Sequence, residues 1–205
     1  MKDRQIGFLL RASTSGCVAG CRVASLEHPQ LGAMVSIHPA PDLTIYGLIY
    51  DMHIDDDGLV RQLVTTENIK PEVIEDNRNN RTVPVEISIV FIGFRQNDQV
   101  FHLLPPLPPL TLDEVYLCTD DELYDFTASE RFGYFRHILR GQDYPTAELL
   151  ASHLKLAANA QQHKQNEGWI NAAIQELITL LRDDYPTLMN VLGALSDAKL
   201  TRKEN

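Results

Sequence analysis

The sequence predicts an α+β protein, with an N-terminal antiparallel β-barrel of six or seven strands followed by an all-helical C-terminal region. Three observations carry this. Short apolar segments with period-two alternation, separated by turn residues, fill the chain up to about residue 126. The stretch from Val83 to Cys118, VPVEISIVFIGFRQNDQVFHLLPPLPPLTLDEVYLC, holds the longest strand pattern, and its second half is apolar on both faces. After Thr127 the apolar residues recur at i, i+3, i+4 and i+7, the stripe of a helix with one buried side. The expected division is a β domain over residues 1–126 and a helical domain of about four helices over 127–205.

The β half begins with a short apolar run, Ile6 to Leu10. Gly16 to Leu26 follows, with Cys17, Ala19, Cys21 and Val23 on one parity. Glu27-His28-Pro29-Gln30 turns the chain into Gly32 to His38, where Ala33, Val35 and Ile37 alternate with Met34, Ser36 and His38. Pro39-Ala40-Pro41-Asp42 breaks that strand. Thr44 to Ile54 puts Tyr46, Leu48, Tyr50, Met52 and Ile54 on one face, and Asp55-Asp56-Asp57-Gly58 reads as a hairpin turn into a return strand over Leu59 to Leu63. Residues 64–82 are polar and read as irregular, with Asn77 to Arg81 as an exposed tip. No helix longer than a turn is expected among these strands. From Val83, the residues Val83, Val85, Ile87, Ile89 and Phe91 form one face. The other face starts polar with Glu86 and Ser88 and becomes Val90, Ile92 and Phe94, so something outside the sheet should cover it; the later helices are the obvious cover. Gln96-Asn97-Asp98 turns into Val100 to Leu104, and a last strand ends near Cys118. Closing six or seven such strands into a barrel removes their edges economically.

The helical half opens on Thr119-Asp120-Asp121-Glu122, a capping box with acids in the first turn of a short helix over 120–126. Thr127-Ala128-Ser129-Glu130 repeats the pattern before a helix carrying Phe132, Phe135, Ile138 and Leu139. Further helices are expected over about 145–160, 168–182 and 186–198, with a charged tail from Lys199. The tetrapeptide Asp-Tyr-Pro-Thr occurs at 143–146 and again at 184–187, each time before a Leu-rich helix. Proline suits a first helical turn, so convergent helix starts explain the recurrence, with a worn helical-hairpin duplication as the alternative.

The net charge of −10 is unevenly placed: residues 1–127 hold nine Lys/Arg against nineteen Asp/Glu, and residues 128–205 hold nine of each. An acidic barrel is a poor match for a phosphate backbone, so direct nucleic-acid binding is disfavoured; Arg78, Arg81 and Arg95 are the cations nearest to a patch. No apolar run approaches the roughly 20 residues of a membrane span, and the first residues, MKDRQIGFLLRAS, lack a signal-peptide pattern. A cytoplasmic location is expected. Cys17, Cys21 and Cys118 read as buried reduced thiols, without the spacing of a zinc site.

The sequence carries no motif for catalytic chemistry. None of the six lysines follows a glycine, so there is no phosphate-binding loop of the GxxxxGK[ST] type, and no GxGxxG or GxSxG occurs. The densest titratable cluster is His53 with Asp51, Asp55, Asp56 and Asp57. As a calcium loop it fails, because counting back from Gly58 puts His53 first and Val64 where the closing Glu belongs. It reads as an acidic tip, with a weak divalent-cation site as the alternative. No catalytic, cofactor-binding or metal-ligating residue is assigned, and no cofactor is expected. The block Pro105-Pro106-Leu107-Pro108-Pro109 contains two overlapping PxxP patterns. Such a segment can be gripped by an aromatic groove on a partner. Between two strands it reads better as a rigid link across the barrel end, with Leu103, Leu104, Leu107 and Leu110 packed.

The order of four segments resembles the HAS-barrel, the N-terminal β-barrel of HerA-type DNA-translocating ATPases, found in related form in ATP synthase subunits. The segments are Ile6-Gly7, QLGAMVSI with Gly32 and Val35, IYGLIYDM with Gly47, and PPLPPLTLDEVYLCTDDEL. The likeness covers roughly residues 4–126. It implies a non-catalytic barrel that crowns a hexameric ATPase ring and offers a docking surface to a partner nuclease. Residues 127–205 depart from the family, because helices stand where its ATPase core would follow. The reading is therefore a protein-interaction or assembly module that docks onto itself, an ATPase or a nuclease, with homo-oligomerisation expected. The alternatives are a small barrel that binds nucleic acid through Tyr46, Tyr50, Phe91 and Phe94, and a metal-dependent enzyme at the His53 cluster.

Overall fold

The computed structural model describes residues 4–22, 29–56, 58–79, 84–128 and 131–200. The expected second strand beyond Arg22, the turn at Glu27-His28, Asp57, the tip from Asn80 to Arg81 and Ser129-Glu130 lie outside the described residues.

Six antiparallel strands close into a barrel, and a seventh extends it. In chain order they are β1 (Gln5–Ala12), β2 (Gly16–Cys21), β3 (Met34–Ala40), β4 (Leu43–His53), β5 (Val85–Gln96), β6 (Gln99–Phe101) and β7 (Glu114–Leu117). The ladder runs β2-β1-β7-β3-β4-β5, and β2 pairs again with β5 to complete the circle. β5 is long enough to serve two partners along one edge: residues 85–90 pair with β2 and residues 94–96 with β6. The barrel interior is filled by Leu9, Ala19, Val35, Ile37, Ile45, Ile49, Ile87, Ile89, Phe91 and Val115, the inward parity of each strand. Cys17 and Cys21 sit there too, as expected.

Two β-bulges revise the expected face of β4. Tyr46 pairs with Gly93 but Gly47 with Phe91, so Ile92 is an extra residue on β5. Ile49 pairs with Ile89 but Asp51 with Ser88, so Tyr50 is an extra residue on β4. Tyr46, Leu48 and Tyr50 share the outer side, but after the bulge Met52 turns to the barrel interior and Ile54 lies beyond the strand, exposed. β3 continues through Pro39 to Ala40, past its expected break, because the ladder is irregular between Ile37 and Ala40 and needs no N–H from the proline.

The expected return strand at Leu59–Leu63 is instead α1 (Leu59–Val64), and residues 71–79 form α2 (Pro71–Asn79) rather than an irregular loop. Both edges of β4 are already taken, by β3 and β5, so no edge is free for a returning strand. Local bonds close a helical turn instead. The Asp56 carboxylate accepts from the Gly58 N–H at 2.9 Å and pairs with Arg61, and the Thr65 and Thr66 hydroxyls donate back to the Gln62 carbonyl. Pro71 opens α2, where a missing N–H costs nothing.

After β7 come α3 (Asp120–Thr127), α4 (Phe135–Leu139), α5 (Thr146–His163), α6 (Trp169–Leu180) and α7 (Tyr185–Asp197). The Thr119 capping box forms as the sequence predicts. The second proposed cap does not: Thr127 is the buried last residue of α3, and its hydroxyl donates to the Leu123 carbonyl at 2.6 Å. Gln161 of α5 donates to the Thr127 hydroxyl at 2.9 Å and the Trp169 indole donates to the Thr127 carbonyl at 2.8 Å, so Thr127 joins three helices. The two Asp-Tyr-Pro-Thr segments also differ: Asp184 caps α7 by accepting from the Thr187 N–H, whereas α5 has no side-chain cap.

The helices cover the outer wall of β3, β4 and β5. Met34, Tyr46, Leu48 and Ile92 belong to the same apolar cluster as Phe126, Tyr134, Phe135, Leu150, Leu154 and Trp169. This is the cover that the doubly apolar half of β5 requires. Gly32, at φ +79°, lies so close under α5 that a Cβ would stand 2.5 Å from the His153 backbone nitrogen.

Candidate interaction surface

The loop from His102 to Asp113 joins β6 to β7, and its burial is the reverse of the expected one. Pro105 and Pro109 are buried, whereas Leu103, Leu104, Leu107, Leu110 and Leu112 are exposed, the last three at 70%, 72% and 74%. Pro105 and Pro109 are the anchors; Pro106 and Pro108 are exposed with the leucines. Both PxxP patterns lose one member to the interior, Pro105 from the first and Pro109 from the second, so neither can lie in a groove that grips both prolines.

The end of this loop is fixed to β1. The Leu112 N–H donates to the Leu9 carbonyl at 2.8 Å, and the Leu9 N–H to the Asp113 carbonyl at 2.9 Å. The Asp113 carboxylate accepts from the Leu110 N–H at 2.8 Å, closing a turn in which Leu112 adopts φ +69°. A left-handed leucine is strained by the order of 1 kcal/mol, which the surrounding bonds must offset. Its consequence is that Leu110 and Leu112 both stand in solvent. On either side of buried Leu9, Phe8 and Leu10 point outward and are also exposed, so the apolar surface continues onto the barrel wall. Isolated exposed leucines are ordinary; seven large apolar side chains on one loop and the strand that holds it are a patch.

The patch sits in acidic surroundings. Residues 96–128 contain seven Asp or Glu and no Lys or Arg. Glu122, Asp121 and Asp120 are matched by Arg4, Lys164 and His163. Asp98, Asp113 and Glu114, nearest in sequence to the leucines, carry no ion pair among the described residues.

The other sequence candidates are dispersed. His53 pairs with Asp55 at 3.0 Å on an exposed tip, and Asp56 is engaged with Gly58 and Arg61. Among the described residues no three His, Cys, Asp or Glu side chains are placed to hold a metal ion. Tyr46 and Phe91 are buried and Phe94 stacks on Phe101, so these rings are packing elements rather than stacking platforms; Tyr50 is half-buried against Tyr144. Burial pushes the Cys17 thiol up to about 12 and the Cys21 thiol up to about 11, leaving both protonated and inert at neutral pH. Cys118 lies just past β7, its thiol also raised by burial against the opposing hydrogen bond of Ser36. Among the described residues no helix is long and apolar enough to cross a membrane.

The leucine surface escapes sequence reasoning because a proline-rich loop has no period from which to assign faces. Only the interleaving of Leu and Pro hinted that the two types divide their roles. Compared with known proteins, the chain matches no family model and no curated protein.

Proposed function

We propose that this chain is a HAS-barrel-like interaction module that docks a protein partner, an ATPase or a nuclease, through the leucine loop and the adjoining face of β1. The observation that carries this reading is the fixed, exposed leucine strip: Pro105 and Pro109 anchor it, a strained turn holds it outward, and nothing among the described residues covers it. An apolar centre with unpaired carboxylates at its margin suits a partner whose apolar face is rimmed by Lys or Arg. A second copy of this chain would bring acid against acid, so self-association through this patch is the weaker use of it. The four segments that resemble the HAS-barrel lend the reading its partner classes, and the last of them contains Leu107, Leu110 and Leu112 of the strip.

The test is capture from the source cells followed by mass spectrometry, with light scattering on the pure protein. The wild type retains an ATPase or nuclease, and the double substitution Leu107→Asp, Leu110→Asp loses it while melting at an unchanged temperature, because both side chains are already in water. Raising ionic strength weakens the complex. A strict monomer whose captured proteins include neither class, or a double variant that retains the same partner, overturns the reading.

A further inference from the structure

A cleft of about 660 Å³ opens where the β1–β2 hairpin meets the loop between α4 and α5. Arg11, Ser13, Tyr50, Arg140, Gln142 and Tyr144 are among the residues that line it. Its size lies within the range of small-molecule sites, about 300–1,000 Å³. It shares no residue with the leucine strip.

One wall is aromatic and held in place. Tyr50 is the extra residue of the β4 bulge, a device that re-aims a side chain. Its ring packs on Tyr144 with centroids 4.8 Å apart. The Tyr144 hydroxyl donates to the Ile138 carbonyl at 3.0 Å and to the His137 carbonyl at 3.3 Å, so the wall is braced against α4. Gly141 leaves the space that this ring occupies, since a Cβ there would collide with it.

The charged side chains lining the cleft are Arg11, Arg140 and Asp143; Arg131 and Arg136, close to Arg140 in sequence, do not line it. Arg136 is engaged with the His102 carbonyl, and Arg11 makes a two-pronged pair with Glu86 at 3.1 and 2.7 Å. Arg140 is exposed at the cleft, and its side chain has no ion pair or hydrogen bond among the described residues. Asp143 is the acid that also lines it.

We infer that this cleft binds a small planar molecule carrying one anionic group, its ring against the Tyr50–Tyr144 wall and its negative charge on Arg140. A nucleoside monophosphate and an aromatic carboxylate share that chemistry. The inference is independent of partner docking.

The test is an amide-resolved NMR titration of the full chain with AMP, 4-hydroxybenzoate, adenosine and inorganic phosphate. AMP or 4-hydroxybenzoate shifts the amides of residues 13–16 and 140–144 in a saturable way, and which of the two binds identifies the anionic group. Adenosine and inorganic phosphate alone bind about tenfold more weakly or not at all, because each supplies half of the contact. Arg140→Gln, a change at an exposed side chain, weakens the anionic ligand about tenfold and brings AMP level with adenosine. Tyr50→Leu, checked by its melt, weakens AMP without affecting phosphate. If neither anionic probe moves these amides at millimolar concentration, if phosphate alone matches AMP, or if Arg140→Gln binds as the wild type does, the inference is overturned.

Discussion

His153 shows how a polar side chain becomes part of a core. It lies fully buried on α5, yet both ring nitrogens are satisfied. A carbonyl can only accept, so Nδ1 carries the proton and donates to Gly32 at 3.3 Å, which leaves Nε2 to accept from the Tyr134 hydroxyl at 3.2 Å. This one imidazole thus ties the barrel to α5 and to the segment before α4. Burial depresses its pKa from 6.5 to about 4. Below pH 6.5 the unfolded chain takes up a proton that the folded chain refuses, so stability falls as pH drops from about 6.5 to about 4 and then levels off. The full effect is about 3 kcal/mol. His38, His102 and His137 are shifted the same way by burial and add to the slope, so the difference between wild type and His153→Gln isolates this site. Urea unfolding at pH 7 and pH 4.5 should show a smaller acid loss in the variant; equal losses would mean His153 does not titrate as its surroundings require.

β5 is the strand on which the two layers meet. Its alternation through Phe91 is a barrel-interior pattern, and the switch to apolar residues on both faces marks where the helices begin to cover it. That much is readable from the residues, because hydrophobic period reports how many faces are dry. The bulges at Ile92 and Tyr50 are not, since an extra residue leaves no mark on composition and is seen only when register is counted against a partner. Gly93 sits beside the first bulge, under α3 and against β6. A Cβ there would stand 2.5 Å from the Phe101 carbonyl oxygen and 2.8 Å from the Phe126 ring. Gly93→Ala is expected to destabilise the protein by about 1–3 kcal/mol, read by chemical denaturation. A midpoint equal to wild type would show that β6 yields, and that its pairing contributes little. α1 and α2 are a plainer lesson. Asp-Asp-Asp-Gly followed by Leu59-Val60 reads as a hairpin, but a hairpin needs an open edge, and closure of the barrel had already taken it.

Barrel and helices form one body with two apolar clusters, one inside the barrel and one between its β3–β4–β5 wall and the helices. Around the ring β1 lies three strands from β4 in either direction, so the exposed Phe8 and Leu10 lie across the barrel from the helix-covered wall. A chain ended after residue 128 would keep α3, with Phe126 on Tyr46, but lose α4–α7 and with them most of the cluster that covers this wall. It should lack a cooperative melt and aggregate, whereas the full chain stays dispersed. A soluble, cooperatively melting fragment would show instead that the barrel stands alone. Period and turn chemistry established the α+β order, the helical stripes, the Thr119 cap and the need for a cover on β5, because each is a local consequence of side-chain spacing and backbone preference. Which leucines face water, where Met52 turns, why residues 59–64 coil, and how Arg140 meets the tyrosine wall were decided by closure of the barrel and docking of the helices. These depend on which edges and faces are already occupied by residues far away in the chain, and no local pattern encodes that occupancy.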